Sequence, residues 1–176
     1  MTSAEIVQLA QAIGIVACGG KLAWIKLKSS KNTMLILCGA HLLFAVSFFM
    51  LGLVNGAVFS VISAARILWL QFPQNSRRKT FSSYVWAEAL VAVFMCSIII
   101  SYSMPQNDWI EIIPLVGVLL DLFATICKNN SLSRILRLVG SVFWLAYGIL
   151  GFAIGAIISE VINVIFYIKA VLKGGY

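Results

Sequence analysis

The sequence predicts an all-α membrane protein with seven transmembrane helices, arranged as three plus one plus three parallel repeats. Three observations support this prediction: the composition, the distribution of charge and an internal repeat. Of the 176 residues, 61% are hydrophobic and 11% are charged, whereas a soluble domain usually carries about 25% charged residues. Such a surface cannot face water throughout, so lipid is the expected solvent for most of the chain.

Seven apolar runs approach the ~20 residues that a helix needs to cross the hydrocarbon core of a bilayer. Very short turns, at Asn55-Gly56 and at Gly151–Gly155, separate the second run from the third and the sixth from the seventh. The runs on either side of each turn should therefore form antiparallel helical hairpins. The predicted spans are Ile6–Trp24, Met34–Val54, Ala57–Phe72, Ser82–Tyr102, Ile110–Cys127, Arg134–Phe152 and Ile154–Val171.

The charge pattern orients these spans. With the N-terminus outside, every cytoplasmic segment is basic and every outer segment is neutral or acidic, as the positive-inside rule requires. This pattern predicts a cytoplasmic C-terminus. The net charge of +7 is therefore interpreted as membrane topology, and nucleic acid is not an expected partner. The inner residues are Lys26, Lys28, Lys31, Arg77, Arg78, Lys79, Lys128, Arg134, Arg137, Lys169 and Lys173, and the outer ones are Glu5, Asp108 and Glu111.

The chain also contains an internal repeat. A shift of 100 residues pairs Lys28 with Lys128, and further along a shift of 99 pairs the hairpin glycines Gly52 and Gly151. Because one span separates the two sets of three, both sets enter the membrane in the same direction, as parallel repeats do. The predicted domains are a first repeat over residues 1–76, a linker transmembrane helix over 77–106 and a second repeat over 107–176.

Charged side chains within the spans are candidate functional residues, since each costs at least ~2.5–3.5 kcal/mol to insert. Lys21 and Asp121 occupy equivalent positions in the two repeats. They could pair across an approximate two-fold axis and close the inner side of a pathway. Alternatively, Lys21 snorkels to the headgroups and Asp121 bonds locally. Arg66 and Glu88, on adjacent spans, form either a gating pair or a structural ion pair that docks the linker helix.

The last span carries a second polar group. Glu160 and Asn163 are three residues apart and share one helix face, and with Ser159 they could offer donors and acceptors to a polar ligand or a proton. The alternative is an interhelical hydrogen bond, worth ~0.6 kcal/mol on average in bilayers. His41, in the second span, is either a structural histidine or a protonation switch, because histidine can change its charge near neutral pH.

Enzyme motifs are missing from the sequence. It contains no P-loop, no HExxH and no GxSxG pattern, each of which would place a phosphate, a metal or a nucleophile. We therefore expect no catalytic residues, no cofactor and no metal, and we do not predict an enzyme. The four cysteines lie in apolar runs without CxxC spacing, so free thiols are expected.

Two sets of residues resemble known families. The sequence WLAYG, from Trp144 to Gly148, resembles the W-x-x-Y-G element of the SWEET sugar transporters and of the related SemiSWEET and PQ-loop proteins. Three-plus-one-plus-three parallel repeats are the architecture of the SWEET transporters. The sequence GAH, from Gly39 to His41, followed by Gly52, Ser63 and Arg66, is similar to the YgjV-like family. This second resemblance implies a multi-pass protein of the bacterial inner membrane.

The SWEET resemblance also implies roles for individual residues. Trp144 matches the tryptophan that stacks on sugar, and Glu160 stands where those proteins usually place a substrate-binding asparagine. Asn163, one turn further, is a candidate to replace that asparagine. In the first repeat, Ala45 and Val61 occupy the corresponding positions, and the PQ motif is absent. These departures leave a charged or heterocyclic solute as open as a sugar.

The predicted function is transport of a small polar solute by alternating access between two three-helix bundles. The alternative is a structural or accessory inner-membrane protein on a transporter-like fold without transport activity. The expected partners are the lipid bilayer and a small-molecule solute, and homo-oligomerisation is left open. The predicted solute-binding residues are Trp144, Tyr147, Glu160, Asn163 and His41, and the predicted gating or charge-pair residues are Lys21, Asp121, Arg66 and Glu88.

Overall fold

The computed structural model describes residues 2–26, 31–71, 109–127 and 129–172. Within these ranges the regular structure is entirely helical. It consists of α1 (Ser3–Lys26), α2 (Lys31–Met50), α3 (Val54–Gln71), a 3-10 turn (Trp109–Ile112), α4 (Ile113–Ile126), α5 (Asn130–Leu150) and α6 (Ile154–Leu172).

The helices have the length and composition of a membrane protein. In the described part of the chain, three stretches are long and apolar enough to cross a membrane, and three apolar helices are shorter. The predicted class, all-α with membrane-spanning helices, is confirmed to this extent. The long stretches are Ser3–Ala23, Asn130–Leu150 and Ile154–Leu172, and the shorter helices are Met34–Met50, Val54–Ala65 and Ile113–Ala124.

The predicted fourth span, Ser82–Tyr102, lies outside the described residues. Both predicted domain boundaries, at residues 76/77 and 106/107, fall in the same undescribed segment. The seven-helix arrangement of three plus one plus three and the three domains therefore stay predictions.

The chain divides into two compact units. The first unit comprises Met1–Phe72 and Gly148–Val161, and the second comprises Pro73–Tyr147 and Ile162–Tyr176. Helix α6 thus contributes its first half to the first unit and its second half to the second. The first unit needs a segment from late in the sequence in addition to its own three helices.

Helix α1 begins with a reciprocal cap. The Glu5 backbone N–H donates to Thr2 Oγ1 at 3.3 Å, and the Thr2 N–H donates to Glu5 Oε2 at 2.7 Å. This threonine-x-x-glutamate pattern is a capping box, which satisfies donors that a helix start leaves without intrahelical partners. Glu5 is therefore used in starting the helix.

Within the first unit, α1 packs antiparallel to α2 through small residues. Ser47 Oγ donates to the carbonyl oxygen of Ala10 at 2.8 Å. Further along, a Cβ on Gly20 would lie 3.2 Å from the Cβ of Ala40. Small side chains let two helix backbones approach closely in a bilayer, where packing replaces the hydrophobic effect as the cause of association.

Helix α3 returns along α2 and packs against it around a buried cluster. Cys38 Sγ donates to the carbonyl oxygen of Ala64 at 3.6 Å, and both residues are buried together with Ile67. Met34 and Leu37 of α2 cover this cluster. The predicted hairpin between the second and third spans is therefore present, but its turn was misplaced: the turn comprises residues 51–53, and Asn55 and Gly56 lie in the first turn of α3.

The first half of α6 lies beside α1 and runs parallel to it. The side-chain amide of Gln11 bridges the turn before α6: Nε2 donates to the Phe152 carbonyl oxygen, and Oε1 accepts from the Ile154 N–H at 2.9 Å. One turn further along α1, the backbone of Gly14 contacts the backbone of Gly155. These contacts ascend both helices in the same order, which fixes their common direction.

The α2–α3 and α5–α6 turns have the same hydrogen bonds, 100 residues apart. The Leu53 N–H donates to the Phe48 carbonyl oxygen at 2.9 Å, and the Ala153 N–H donates to the Gly148 carbonyl oxygen at 2.8 Å. Each turn adds a second bond at 3.1 Å from the preceding residue. Together the two bonds make a Schellman motif, which ends a helix at a residue in the left-handed conformation.

The left-handed residues are Gly52, with φ +78°, and Phe152, with φ +52°. The sequence shift of 99, which aligned Gly52 with Gly151, is therefore wrong at these turns by one residue. Gly151 serves a different purpose, because a Cβ there would overlap the side chain of Leu53 in the other turn. Gly52 is required by its backbone conformation and Gly151 by the lack of space for a side chain. The match between the two glycines therefore did not give the correct alignment of the two turns.

In the second unit, α4 and α5 form an antiparallel pair. Pro114 lies in the first turn of α4, where the missing N–H costs no helical hydrogen bond. Asn129 caps α5, since its Oδ1 accepts from the Ser131 N–H at 2.9 Å. Ser133 Oγ then donates to the carbonyl oxygen of Ala124 at 2.6 Å, which ties the start of α5 to the end of α4.

Candidate functional site

An ion pair joins two helices of the first unit. Lys21 Nζ on α1 lies 2.7 Å from Glu160 Oε1 on α6, and the two side chains are 20% and 11% exposed. The pair continues the series of contacts that begins at Gln11 and Gly14. Because α1 and α6 are parallel here, residues further along α1 contact residues further along α6.

This pair explains how two charges are tolerated in apolar helices. A lone charge near the bilayer centre costs several kcal/mol, whereas oppositely charged side chains that bond to each other largely avoid that cost. Removing one partner deprives the other of this contact, and breaking a buried ion pair in this way typically costs about 3–5 kcal/mol. The pair therefore connects α1 with α6 and places two charged groups together in an otherwise apolar region.

Three other side chains of the first unit are relevant to the pair. The Phe44 ring of α2 has its centroid 5.9 Å from Lys21 Nζ, a distance at which a cation is attracted to the ring face. Cys18, one turn before Lys21 on α1, is a buried free thiol. Ser159 precedes Glu160, is 1% exposed, and its hydroxyl has no hydrogen-bond partner among the described residues. Buried hydroxyls without partners are rare in native proteins.

The register of the turns changes the assignment of residues in the first repeat. The sequence placed Ala45 opposite Trp144 and Val61 opposite Glu160, because it used a shift of 99. The offset of 100 found at the turns places Phe44 and Ser60 there instead. At this offset an aromatic residue, Phe44, aligns with Trp144, and the asymmetry of the pocket stays a prediction.

In the second unit, α4 and α5 bring Asp121 and Trp144 to the same helix pair. A Cβ on Gly140 would lie 3.3 Å from Asp121 Oδ1, and a Cβ on Gly117 would lie 2.9 Å from Trp144 Cδ1. Glycine on each helix thus leaves room for the functional candidate of the other. Lys21 and Phe44 in the first unit, and Asp121 and Trp144 in the second, show the same combination of one charged and one aromatic residue.

Tyr147 and Trp144 contact each other edge to face, with centroids 6.1 Å apart and ring planes at 82°. Tyr147 is 0% exposed, so its ring is fully buried. Asn163 is half-buried on the second half of α6. The contact of Trp144, Tyr147 and Asn163 with a solute stays a prediction.

The remaining candidates are placed as follows. His41 is half-buried on α2, three residues before Phe44 and therefore on the same side of that helix. Arg66 lies on α3, but its side chain is outside the described set, and Glu88 lies wholly outside it. The Arg66–Glu88 pair and the pairing of Lys21 with Asp121 stay predictions.

Sequence reasoning selected Lys21 and Glu160 separately and did not pair them. Lys21 lies near the end of α1, whereas Glu160 lies in the second turn of α6, so counting from the helix starts gives them different depths. The sequence did contain one indication of this pairing, the direction of the spans. The first and last predicted spans both run inward, and parallel neighbouring helices that carry one opposite charge each are candidates to form an ion pair. Gln11 and Phe44 were missed as well.

The arrangement offers a neutral pair of opposite charges, an aromatic face and a hydroxyl. Such groups can bind a small polar molecule, since a few convergent polar groups in an apolar surrounding fix a ligand's orientation. Among the residues that the structure describes, no three His, Cys, Asp or Glu side chains converge so as to hold a metal ion.

Comparison with known proteins places the chain in a family. The model of the Imp-YgjV family, described as bacterial inner membrane protein, matches residues 8–174. The chain belongs to this family, as the GAH segment indicated. No curated protein and no solved structure matches the chain, so the likeness to SWEET transporters stays a prediction.

Proposed function

We propose that this bacterial inner-membrane protein moves a small polar solute across the membrane by alternating access, and that it is not an enzyme. The Lys21–Glu160 pair is the centre of the proposed solute site in the first unit. Its two groups bind the solute in one state and each other in the state described above.

The pair itself carries this proposal. Two opposite charges from helices at opposite ends of the sequence meet at 2.7 Å. Ser159, which precedes Glu160 in the sequence, has a buried hydroxyl without a partner among the described residues. A protein that needed only to hold α1 against α6 has a less costly way, because replacing a buried ion pair with apolar residues of similar volume is often neutral or stabilising. Charged residues within membrane spans are typical of solute and ion pathways.

The local equivalences support a repeat architecture for the transporter. The two Schellman turns share their hydrogen bonds at an offset of 100 residues, and the same offset relates Lys21 to Asp121. We propose seven spans in a SWEET-like arrangement of three plus one plus three, with the N-terminus outside and the C-terminus in the cytoplasm. The parallel course of α1 and α6 agrees with an odd number of spans, since parallel first and last spans leave the chain ends on opposite sides.

A structural or accessory role is the second candidate. The observation in its favour is the direct backbone contact between Gly14 and Gly155, which holds α1 and α6 together close to the ion pair. In this alternative the pair never opens, and the family's fold serves assembly with other membrane proteins.

Uptake into proteoliposomes tests the proposal. The purified protein is reconstituted and exposed to radiolabelled amino acids, hexoses, nucleosides and small carboxylates, each tested alone. We expect saturable uptake of at least one solute that is absent from empty liposomes. If none of these classes enters and none raises the melting temperature, the transport proposal is wrong and the structural role is favoured, because a specific ligand must stabilise the state that it binds.

A matched pair of variants ties any uptake to the site. The double variant Lys21→Met with Glu160→Gln removes both charges together and leaves neither one unpaired. The control is Lys169→Met, which removes an exposed lysine in the last turn of α6. We expect uptake to fall in the double variant and to persist in the control. Equal uptake by both would show that transport does not use the pair.

A further inference from the structure

We infer that the solute is a small zwitterion that carries one carboxylate and one ammonium group, as an α-amino acid does. This inference rests on the proposed function and adds to it the chemical class of the solute. Its basis is the charge balance of the Lys21–Glu160 pair.

The net charge of the pair is zero, and this neutrality distinguishes between classes of candidate solute. A solute with a carboxylate alone could bind Lys21, but it would separate Glu160 from its cation. A solute with an ammonium alone could bind Glu160 and would leave Lys21 in the same position. Because such a solute breaks one close charged contact and makes one in its place, while breaking a buried pair is costly, singly charged solutes are disfavoured unless a proton moves with them.

A zwitterion avoids this cost. Its carboxylate replaces Glu160 as the partner of Lys21, while its ammonium replaces Lys21 as the partner of Glu160. Every charge stays compensated before and after binding, and one charge-assisted contact is exchanged for two. A hexose has no charge to exchange, so it would leave the pair closed at 2.7 Å and gain no such contacts.

The structure also provides a place for α1 and α6 to pivot while the pair opens. The backbones of Gly14 and Gly155 touch, and neither glycine has a side chain that would fix the crossing angle. Lys21 is seven residues beyond Gly14, and Glu160 is five residues beyond Gly155, which places the pair roughly 7–10 Å along the helices from the contact. A change in crossing angle about the glycines separates Nζ from Oε1 and keeps the contact.

Ser159 gives the second, independent observation. Its hydroxyl is 1% exposed and has no partner in the described part of the chain, and it is adjacent to Glu160 in the sequence. A hydroxyl can donate one hydrogen bond and accept two, so it can serve either charged group of an α-amino acid. Such a buried donor left without a partner is the condition expected of a site between binding events.

Matched ligand series test the inference. The wild-type protein is screened with each of the twenty standard amino acids by thermal stabilisation and by proteoliposome uptake. For every amino acid that binds, two analogues follow: its amide, which keeps the ammonium alone, and the corresponding 2-hydroxy acid, which keeps the carboxylate alone. We expect each analogue to bind about tenfold to a hundredfold more weakly, the change expected for loss of a hydrogen-bonded charged contact.

The outcomes separate this inference from the proposed function. Uptake of a hexose, a nucleoside or a singly charged solute with no amino acid bound would leave the transporter standing and overturn the zwitterion. Absence of uptake and of stabilisation by every solute would overturn both. Equal binding of an amino acid and its two analogues would also overturn the inference.

A double variant guards against loss of folding as the cause. Lys21→Met with Glu160→Gln keeps the site neutral, and its melting temperature without ligand reports whether the fold persists. We expect a folded protein with amino-acid uptake reduced about tenfold or more, next to unchanged uptake in Lys169→Met. A folded double variant with full uptake would show that the two charges do not bind the solute.

Discussion

The backbone of Gly155 touches the backbone of Gly14, so closely that a Cβ on Gly155 would overlap the Gly14 carbonyl group and would lie 2.7 Å from the Ile15 nitrogen. The neighbour in this contact is main chain and cannot rotate away. Any side chain at position 155 must therefore push α1 and α6 apart, together with the Gln11 and Lys21 contacts on either side.

Gly155→Ala should destabilise the protein by roughly 1–3 kcal/mol, the usual cost of forcing extra atoms into a packed contact. The matched control is Gly19→Ala on α1, where a Cβ meets no described atom within 4 Å. There the better helix propensity of alanine should stabilise by up to about 1 kcal/mol. Melting temperatures in one detergent measure both, and a stability loss in the control as large as that at position 155 would contradict the contact.

The ion pair predicts a strong coupling between Lys21 and Glu160. Lys21→Met and Glu160→Gln should each destabilise by about 3 kcal/mol or more, because each removes the close charged partner of a largely buried side chain. The double variant should be clearly more stable than the sum of the two losses. A double-mutant cycle measures this difference, and simple additivity would mean that the two side chains do not interact.

The amide of Gln11 should stabilise the turn before α6. Gln11→Leu removes the bonds to the Phe152 carbonyl and the Ile154 N–H, and at about 0.5–1.5 kcal/mol for each bond the loss should be about 1–3 kcal/mol. Gln8→Leu, an exposed position one turn earlier, is the control and should change the melting temperature little. Equal melting temperatures of the two variants would show that the Gln11 amide does not bridge the turn.

Substitutions at the two left-handed residues should have opposite signs. Phe152 is 78% exposed and adopts φ +52°, so Phe152→Gly should stabilise by about 1 kcal/mol, since the left-handed conformation costs a side chain roughly 1–2 kcal/mol. At Gly52, with φ +78°, a Cβ would have no described atom within 4 Å, so Gly52→Ala should lose about as much for conformational reasons alone. Shifts of the same sign in both melting temperatures would contradict the shared geometry.

Two buried serines should also respond in opposite ways. Ser159→Ala removes a hydroxyl that lacks a described partner, so it should keep or raise stability by up to about 1 kcal/mol while it weakens solute binding. Ser47→Ala removes the bond to the Ala10 carbonyl at 2.8 Å and should destabilise by about 1 kcal/mol. The melting temperatures, with and without added amino acids, measure both effects. A large loss of stability in Ser159→Ala would instead indicate a structural bond.

Much of the fold followed from composition and hydropathy, because a helix that crosses lipid must be long and apolar whatever it packs against. The end of α5 at Leu150 was predicted closely for the same reason, whereas α2 ends at Met50, before the predicted Val54. The register of the second hairpin was not predicted. Position 151 needs glycine because Leu53 lies against it, and position 155 needs glycine because Gly14 of α1 lies against it. Such a requirement is visible only after the helices are packed.

The site shows the same division. Glu160 and Lys21 could be selected individually, because a charge in an apolar span needs a reason. Their pairing depended on α1 and α6 being neighbours and on α1 extending several turns before the level at which α6 begins. Neither relation is encoded by spacing within one helix. Ser159 was named from the sequence, but only the packed structure shows that its hydroxyl has no described partner.

The composition of the first unit sets the order in which the protein can mature. Lys21 and Glu160 are separated by 139 positions, and the segment Gly148–Val161 completes a unit that otherwise consists of the first 72 residues. During synthesis the lysine therefore resides in the membrane without its carboxylate until most of the chain has left the ribosome. Contacts of such long range form late and slow folding. Helices α1–α3 are therefore synthesised before the segment that completes their unit, and until then they are surrounded by lipid or by other proteins.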